Sequence, residues 1–92
     1  MYKFAKLFEA HGRQVLILKD TDSDGDNQKL SIITRMDDGS EINLGPVFEG
    51  GNAEEELDAA FDKANQELAD AFAKQLVGCS TAFEAAKALA GR

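Results

Sequence analysis

Absences narrow the reading of this 92-residue chain before any pattern does. There is one cysteine, Cys79, so no disulfide can close within the chain, and such usage fits a reducing compartment. A lone cysteine near a helix start reads as a small packed residue. One cysteine and one histidine cannot furnish the four ligands of a structural zinc site. That histidine, His11, falls beside Gly12 in an expected turn, and no pattern sets it against Cys79 or a serine as a nucleophile–base pair. Gly45, Gly50 and Gly51 match neither phosphate-binding spacing. No run of about 18 apolar residues occurs, so no membrane-spanning helix is expected. The opening Met1 to Lys6 stretch is basic but meets Glu9 and His11 too soon for a signal peptide. A cytoplasmic protein without catalytic machinery or a tightly held cofactor is the expectation.

Bases are scarce where acids are dense. The net charge is −7, yet residues 20 to 62 hold 13 of the 17 acids and only two bases, Lys29 and Arg35. An acidic middle and a mildly basic remainder are expected. Direct nucleic-acid binding is disfavoured, because backbone phosphates require a concentrated cationic surface. An acidic face suits a basic partner, including a protein that itself binds nucleic acid. The competing reading is that these acids only keep a small domain soluble.

The clearest pattern that is present runs from Asn52 to Val77. Leu57, Phe61, Ala64, Leu68, Phe72 and Leu76 recur at steps of three or four, one apolar stripe along a 3.6-residue helix. Asn52 with Glu55 three residues on predicts a capping box, and Glu54, Glu55 and Glu56 put negative charge where the helix dipole favours it. Gly78 predicts a left-handed stop. The spacing therefore predicts one long helix over about 53–77. A shorter helix over about 81–90 follows, opened by a second capping box, Thr81 with Glu84.

Upstream, alternation predicts strands over about 2–10, 14–19, 29–36 and 40–44. Phe4, Leu7 and Phe8 also have helical spacing, but the His11-Gly12 turn argues for a strand before it. Val15 to Leu18 are four consecutive apolar residues, as in a central strand buried on both faces at least in part. Asp37-Asp38-Gly39 predicts a hairpin, Gly45-Pro46 ends the fourth strand, and Val47 and Phe48 are expected over the sheet edge. The fold class is α+β: one domain, 1–92, with a four-stranded antiparallel β-meander packed on the long C-terminal helix and then the short one. One helix cannot cover both sheet faces. Leu7, Leu16 or Ile17, and Ile33 therefore leave apolar surface for the short helix, a second copy or a partner.

Two stretches look like sites. Asp20, Asp22, Asp24 and Asp26 alternate with Thr21, Ser23 and Gly25, so their carboxylates could converge on a hard cation. This run resembles the first half of an EF-hand calcium loop, over about seven residues. Asn27 stands where that family has an apolar residue, Ser31 where it has a bidentate Glu, and strands are expected where it has helices. The implied calcium affinity is weak, about 10⁻⁴ to 10⁻³ M. The alternative is an acidic hairpin loop of turn-favouring residues.

The second site is the acidic flank of the long helix, where Glu54, Glu55, Asp58 and Asp62 form a ridge to which Asp37, Asp38, Glu41 and Glu49 would add. Such a surface could imitate nucleic-acid phosphates; a merely solvated helix face is the competing reading. The leading expectation is a small acidic, non-enzymatic interaction domain that binds a larger basic partner through Glu54, Glu55, Asp58, Asp62, Asp37 and Asp38. Inhibitors and adaptors of the phage or mobile-element kind, anti-defence proteins among them, share this size and charge, and the analogy rests on nothing more. The alternatives are a structural domain that dimerises through its open sheet face and a weak calcium-binding module.

Overall fold

The computed structural model describes residues 5–21 and 28–90. Strands β1 (Ala5–Ala10) and β2 (Arg13–Thr21) are joined by His11 and Gly12, both with positive φ, as two-residue hairpins require. The first segment is thus a strand from Ala5 onward; the expected residues 2–4 of it lie outside the described residues. Strand β3 (Gln28–Arg35) pairs with β2 and then with β4 (Glu41–Leu44), all antiparallel in the order β1-β2-β3-β4. The turn between β3 and β4 is closed by Met36 N donating to Ser40 O (2.7 Å), with Gly39 at φ 90°.

A fifth strand was not expected. Val47 and Phe48 do not fold over the sheet edge; they form β5 (Val47–Phe48), which pairs with Gln28 and Lys29 and so extends the β4 edge along β3. Gly45-Pro46 is the kink between the two. There Pro46 O accepts from Leu30 N (3.0 Å), and a Cβ on Gly45 would lie 1.6 Å from Leu30 O. Only glycine allows that approach.

The single long helix is also not formed. The chain makes α1 (Ala53–Lys63), breaks at Ala64 and Asn65, and restarts as α2 (Gln66–Lys74). Both residues at the break are extended, and Asn65 Oδ1 accepts from Leu68 N (3.0 Å), so Asn65 is the N-cap of the second helix. The carbonyls freed at the end of α1 are taken by Lys6 Nζ from β1, 2.7 Å from Phe61 O and 3.1 Å from Ala64 O. The predicted stripe nonetheless points inward throughout: Leu57, Phe61, Ala64, Phe72 and Leu76 are buried and Leu68 packs against them. The apolar residues of both helices thus face the same core on either side of the break.

The two expected capping boxes divide. Asn52 makes no side-chain cap bond to α1. At α3 (Ala82–Ala90) the box is complete: Glu84 N donates to Thr81 Oγ1 (3.0 Å) and Glu84 Oε1 accepts from Thr81 N (3.2 Å) and Ser80 N (2.9 Å). The left-handed stop at Gly78 is present, with φ 89°.

All three helices lie on one side of the sheet, α2 against β1, α1 against β2, β3 and β5, and α3 against β4. Register then assigns every strand residue to a face. Phe8, Val15, Ile17, Leu30, Ile32, Thr34, Ile42, Leu44 and Phe48 point into the helices, where Val15 and Ile17 have no solvent exposure. Each such aliphatic side chain contributes about 1.5–3 kcal/mol by leaving water. No helix long and apolar enough to cross a membrane exists among the described residues, a statement that does not bear on membrane β-barrels.

Candidate functional site

The acidic ridge is built by α1. Taking 100° per residue, Glu54, Asp58, Asp62 and Glu55 fall within an arc of about 100° beside the buried line of Ala53, Leu57 and Phe61. Glu54, Glu55 and Asp62 are exposed; Asp58 is half-buried and paired with Lys19 Nζ at 2.7 Å. Lys19 comes up from β2 and lies 5.2 Å from the centre of the Phe61 ring, a cation–π approach that helps hold it under the helix. The expected set of four is thus one neutralised carboxylate and three that face solvent. Glu56 is exposed too, on the next side of the helix.

Asp37 and Asp38 do not join this ridge. They sit in the β3–β4 turn, the opposite end of β3 from the Gln28–Lys29 segment that pairs with β5 near α1. Asp38 acts within its own turn: its Oδ1 accepts from Ser40 N at 3.0 Å and from Ser40 Oγ. These bonds hold its carboxyl below the ordinary carboxylate pKa, the hydroxyl bond being the larger cause. The turn is also tied to α3, since Asp38 N donates to Ser80 O (3.3 Å) and Ser40 Oγ accepts from Ala82 N (2.9 Å).

Of the four aspartates proposed for calcium, Asp22, Asp24 and Asp26 lie outside the described residues. Asp20 ends β2 on the sheet face away from the helices, where its Oδ2 accepts from buried Ser31 Oγ at 3.3 Å. Among the described residues no three His, Cys, Asp or Glu side chains gather as a metal site.

The expected basic remainder is only partly turned to solvent. Three of its cations, Lys6, Arg13 and Lys19, sit on the helix-covered face of the sheet. Lys6 caps α1 as described and lies 4.6 Å from the centre of the Phe61 ring. Arg13 closes the chain after α2, its guanidinium donating to Leu76 O (3.3 Å) and Cys79 O (2.8 Å). Helix C-termini carry unpaired carbonyls and the negative end of the dipole, so cations are stabilised there. Alternation within β1 and β2 could have found these contacts: Lys6 is two residues from Phe8, and Arg13 and Lys19 flank Val15 and Ile17 at the same parity. The half-buried Cys79 packs against the core edge and contributes its carbonyl to Arg13.

The other sheet face is open. Leu7, Leu16 and Ile33 form a row across β1, β2 and β3, with Ala5 and Leu18 in the next row. Leu7 is 61% exposed and Val47, on the same face, 55%. The row floors a shallow concavity of about 650 Å³ whose polar rim includes His11, Gln14, Arg35, Asp37 and Glu41. Arg35 and Glu41 pair across that rim at 3.3 Å.

Compared with known proteins, the chain matches no family model, no curated protein and no solved structure.

Proposed function

We propose that this chain is a non-enzymatic interaction domain that presents the outer flank of α1 to a basic protein surface. One observation carries the reading. Three cations of the sheet, Lys6, Arg13 and Lys19, are turned inward and engaged by helix ends and Asp58, so Glu54, Glu55 and Asp62 stand on a flank from which that positive charge is directed away. A potential of one sign over an exposed helix accelerates encounter with an oppositely charged partner and sets its orientation. An inhibitor or adaptor role, of the phage or anti-defence kind, is the form of this function that size and charge suit best. Its contact is centred on α1 and leaves out Asp37 and Asp38, which lie at the β3–β4 turn, where Asp38 binds Ser40.

The test uses the tagged full chain and the lysate of its host. A stoichiometric protein should be retained at low salt, released at high salt, and indifferent to a calcium chelator. Reversal of Glu54, Glu55 and Asp62 to Lys, with Asp58 left to Lys19, should abolish retention while the fold is kept. Retention unchanged by that triple reversal refutes the α1 reading, and retention lost to chelator transfers the function to the Asp20–Asp26 aspartates.

A further inference from the structure

We infer that the open face of the sheet is a self-association surface, and that its occupant is a second copy of this chain stacked sheet on sheet. The inference goes beyond the α1 reading and does not depend on it.

Charge is the first argument. Around the apolar rows and among the described residues, the open face carries Glu9, Asp20 and Glu41 against Lys29 and Arg35, three acids and two bases in a chain of net charge −7. It is therefore close to neutral, whereas the outer flank of α1 is strongly acidic. A basic partner gains nothing from this face. Two copies of an acidic chain, by contrast, can meet here with less like-charge repulsion than through α1.

The pattern of charges also selects an arrangement. Stacked sheets lie about 10 Å apart with strands nearly aligned. A two-fold axis running along the strands, between β2 and β3, keeps each row facing itself and exchanges the two strands. Leu16 then meets Ile33 of the second copy, Gln14 meets Arg35, and Asp20 meets Lys29. Each contact occurs twice, as an isologous interface requires. An axis across the strands would set Arg35 over Lys29 and Gln14 over Asp20, losing both ion pairs and opposing two cations. The same axis sets Glu9 over Glu41 of the second copy, a like-charge contact at the wet rim, where Arg35 already neutralises Glu41.

Area sets the strength. Four strands at about 4.8 Å spacing, over the length from Gln14 to Asp20 at about 3.4 Å per residue, give a face of about 400 Å² in projection per copy. The pair then buries about 800 Å² in projection, below the roughly 1,200 Å² at which standard-size interfaces begin, as weak and transient contacts do. The dimer is accordingly a reversible one, populated at high micromolar concentration.

Sedimentation equilibrium of the full chain, from low micromolar to near-millimolar concentration, tests this. A monomer–dimer equilibrium is expected. Leu16→Glu and Lys29→Glu should each weaken it at least about tenfold, and the exchange D20K with K29E should recover most of the loss. Phe83→Glu, at a side chain 74% exposed on α3, should leave it unchanged. Lys29→Glu alters a surface position, so the test stands even where Leu16→Glu fails to fold. A wild-type chain that stays monomeric overturns the inference, as does a dimer lost on Phe83→Glu but indifferent to Lys29→Glu. Neither result touches the α1 reading, which is scored by Glu54, Glu55 and Asp62.

Discussion

The two faces of this sheet each mix charge with hydrocarbon. The covered face carries three cations, Lys6, Arg13 and Lys19, while the uncovered face carries Leu7, Leu16, Leu18 and Ile33. Burial alone does not explain the first set, because a covered ammonium or guanidinium needs a partner. The helices supply one. Two of them end over the sheet, at Lys63 and Lys74, and each end releases carbonyls that a strand cation reaches. The difference teaches that a cation within a hydrophobic strand can be a structural cap for an element far away in sequence.

The contrast can be broken most severely at its apolar centre. Ile17→Ala, under α1, should cost about 2–5 kcal/mol in urea denaturation, and Leu7→Ala, on the open face, within about 0.5 kcal/mol. Equal costs would mean that the open face is covered in solution. Next in size is Lys6→Met, which leaves Phe61 O and Ala64 O without their donor. A loss of about 1–2 kcal/mol is expected, with little change for Lys29→Met on the other face. Asn65→Ala should cost about 1 kcal/mol through its lost cap, read as a lower melting midpoint. The smallest effect is electrostatic. Because the folded Asp38 carboxyl titrates below its ordinary value of 3.8, its contribution is present above that pH and is lost as pH falls through the folded value. Ser40→Ala should move the Asp38 midpoint upward in an NMR titration and shrink that acid-range loss.

Much of this fold is legible in residue spacing. Positive φ at His11, Gly12 and Gly39 follows from turn chemistry, and the box at Thr81 and Glu84 forms as its spacing requires. The helix break is not visible to periodicity, since Ala64 and Leu68 remain in step across it. Asn65 before Gln66 and Glu67 is a cap signal in its own right, overshadowed by a longer stripe. Asn52 has the same chemistry without the bond, because its backbone, φ −104° and ψ 11°, departs from the extended conformation that Asn65 adopts and that an N-cap typically has. The candidate ridge is legible as an arc of α1, but its neutralisation at Asp58 is not. That pairing depends on β2 passing beneath α1, a contact between residues 39 positions apart in sequence.

The kink at Gly45-Pro46 has a consequence for growth of the sheet. An unbroken edge strand offers a row of amides and carbonyls to any extended chain, which is how aggregates recruit new strands. Here that edge is cut into β4, four residues long, and β5, two residues long, with an amide-less proline between them. The opposite edge, β1, carries Lys6 pointing inward, a charge that an added strand would have to accommodate. Among the described residues both margins are thus poor templates for lateral extension, while the face between them stays broad and apolar.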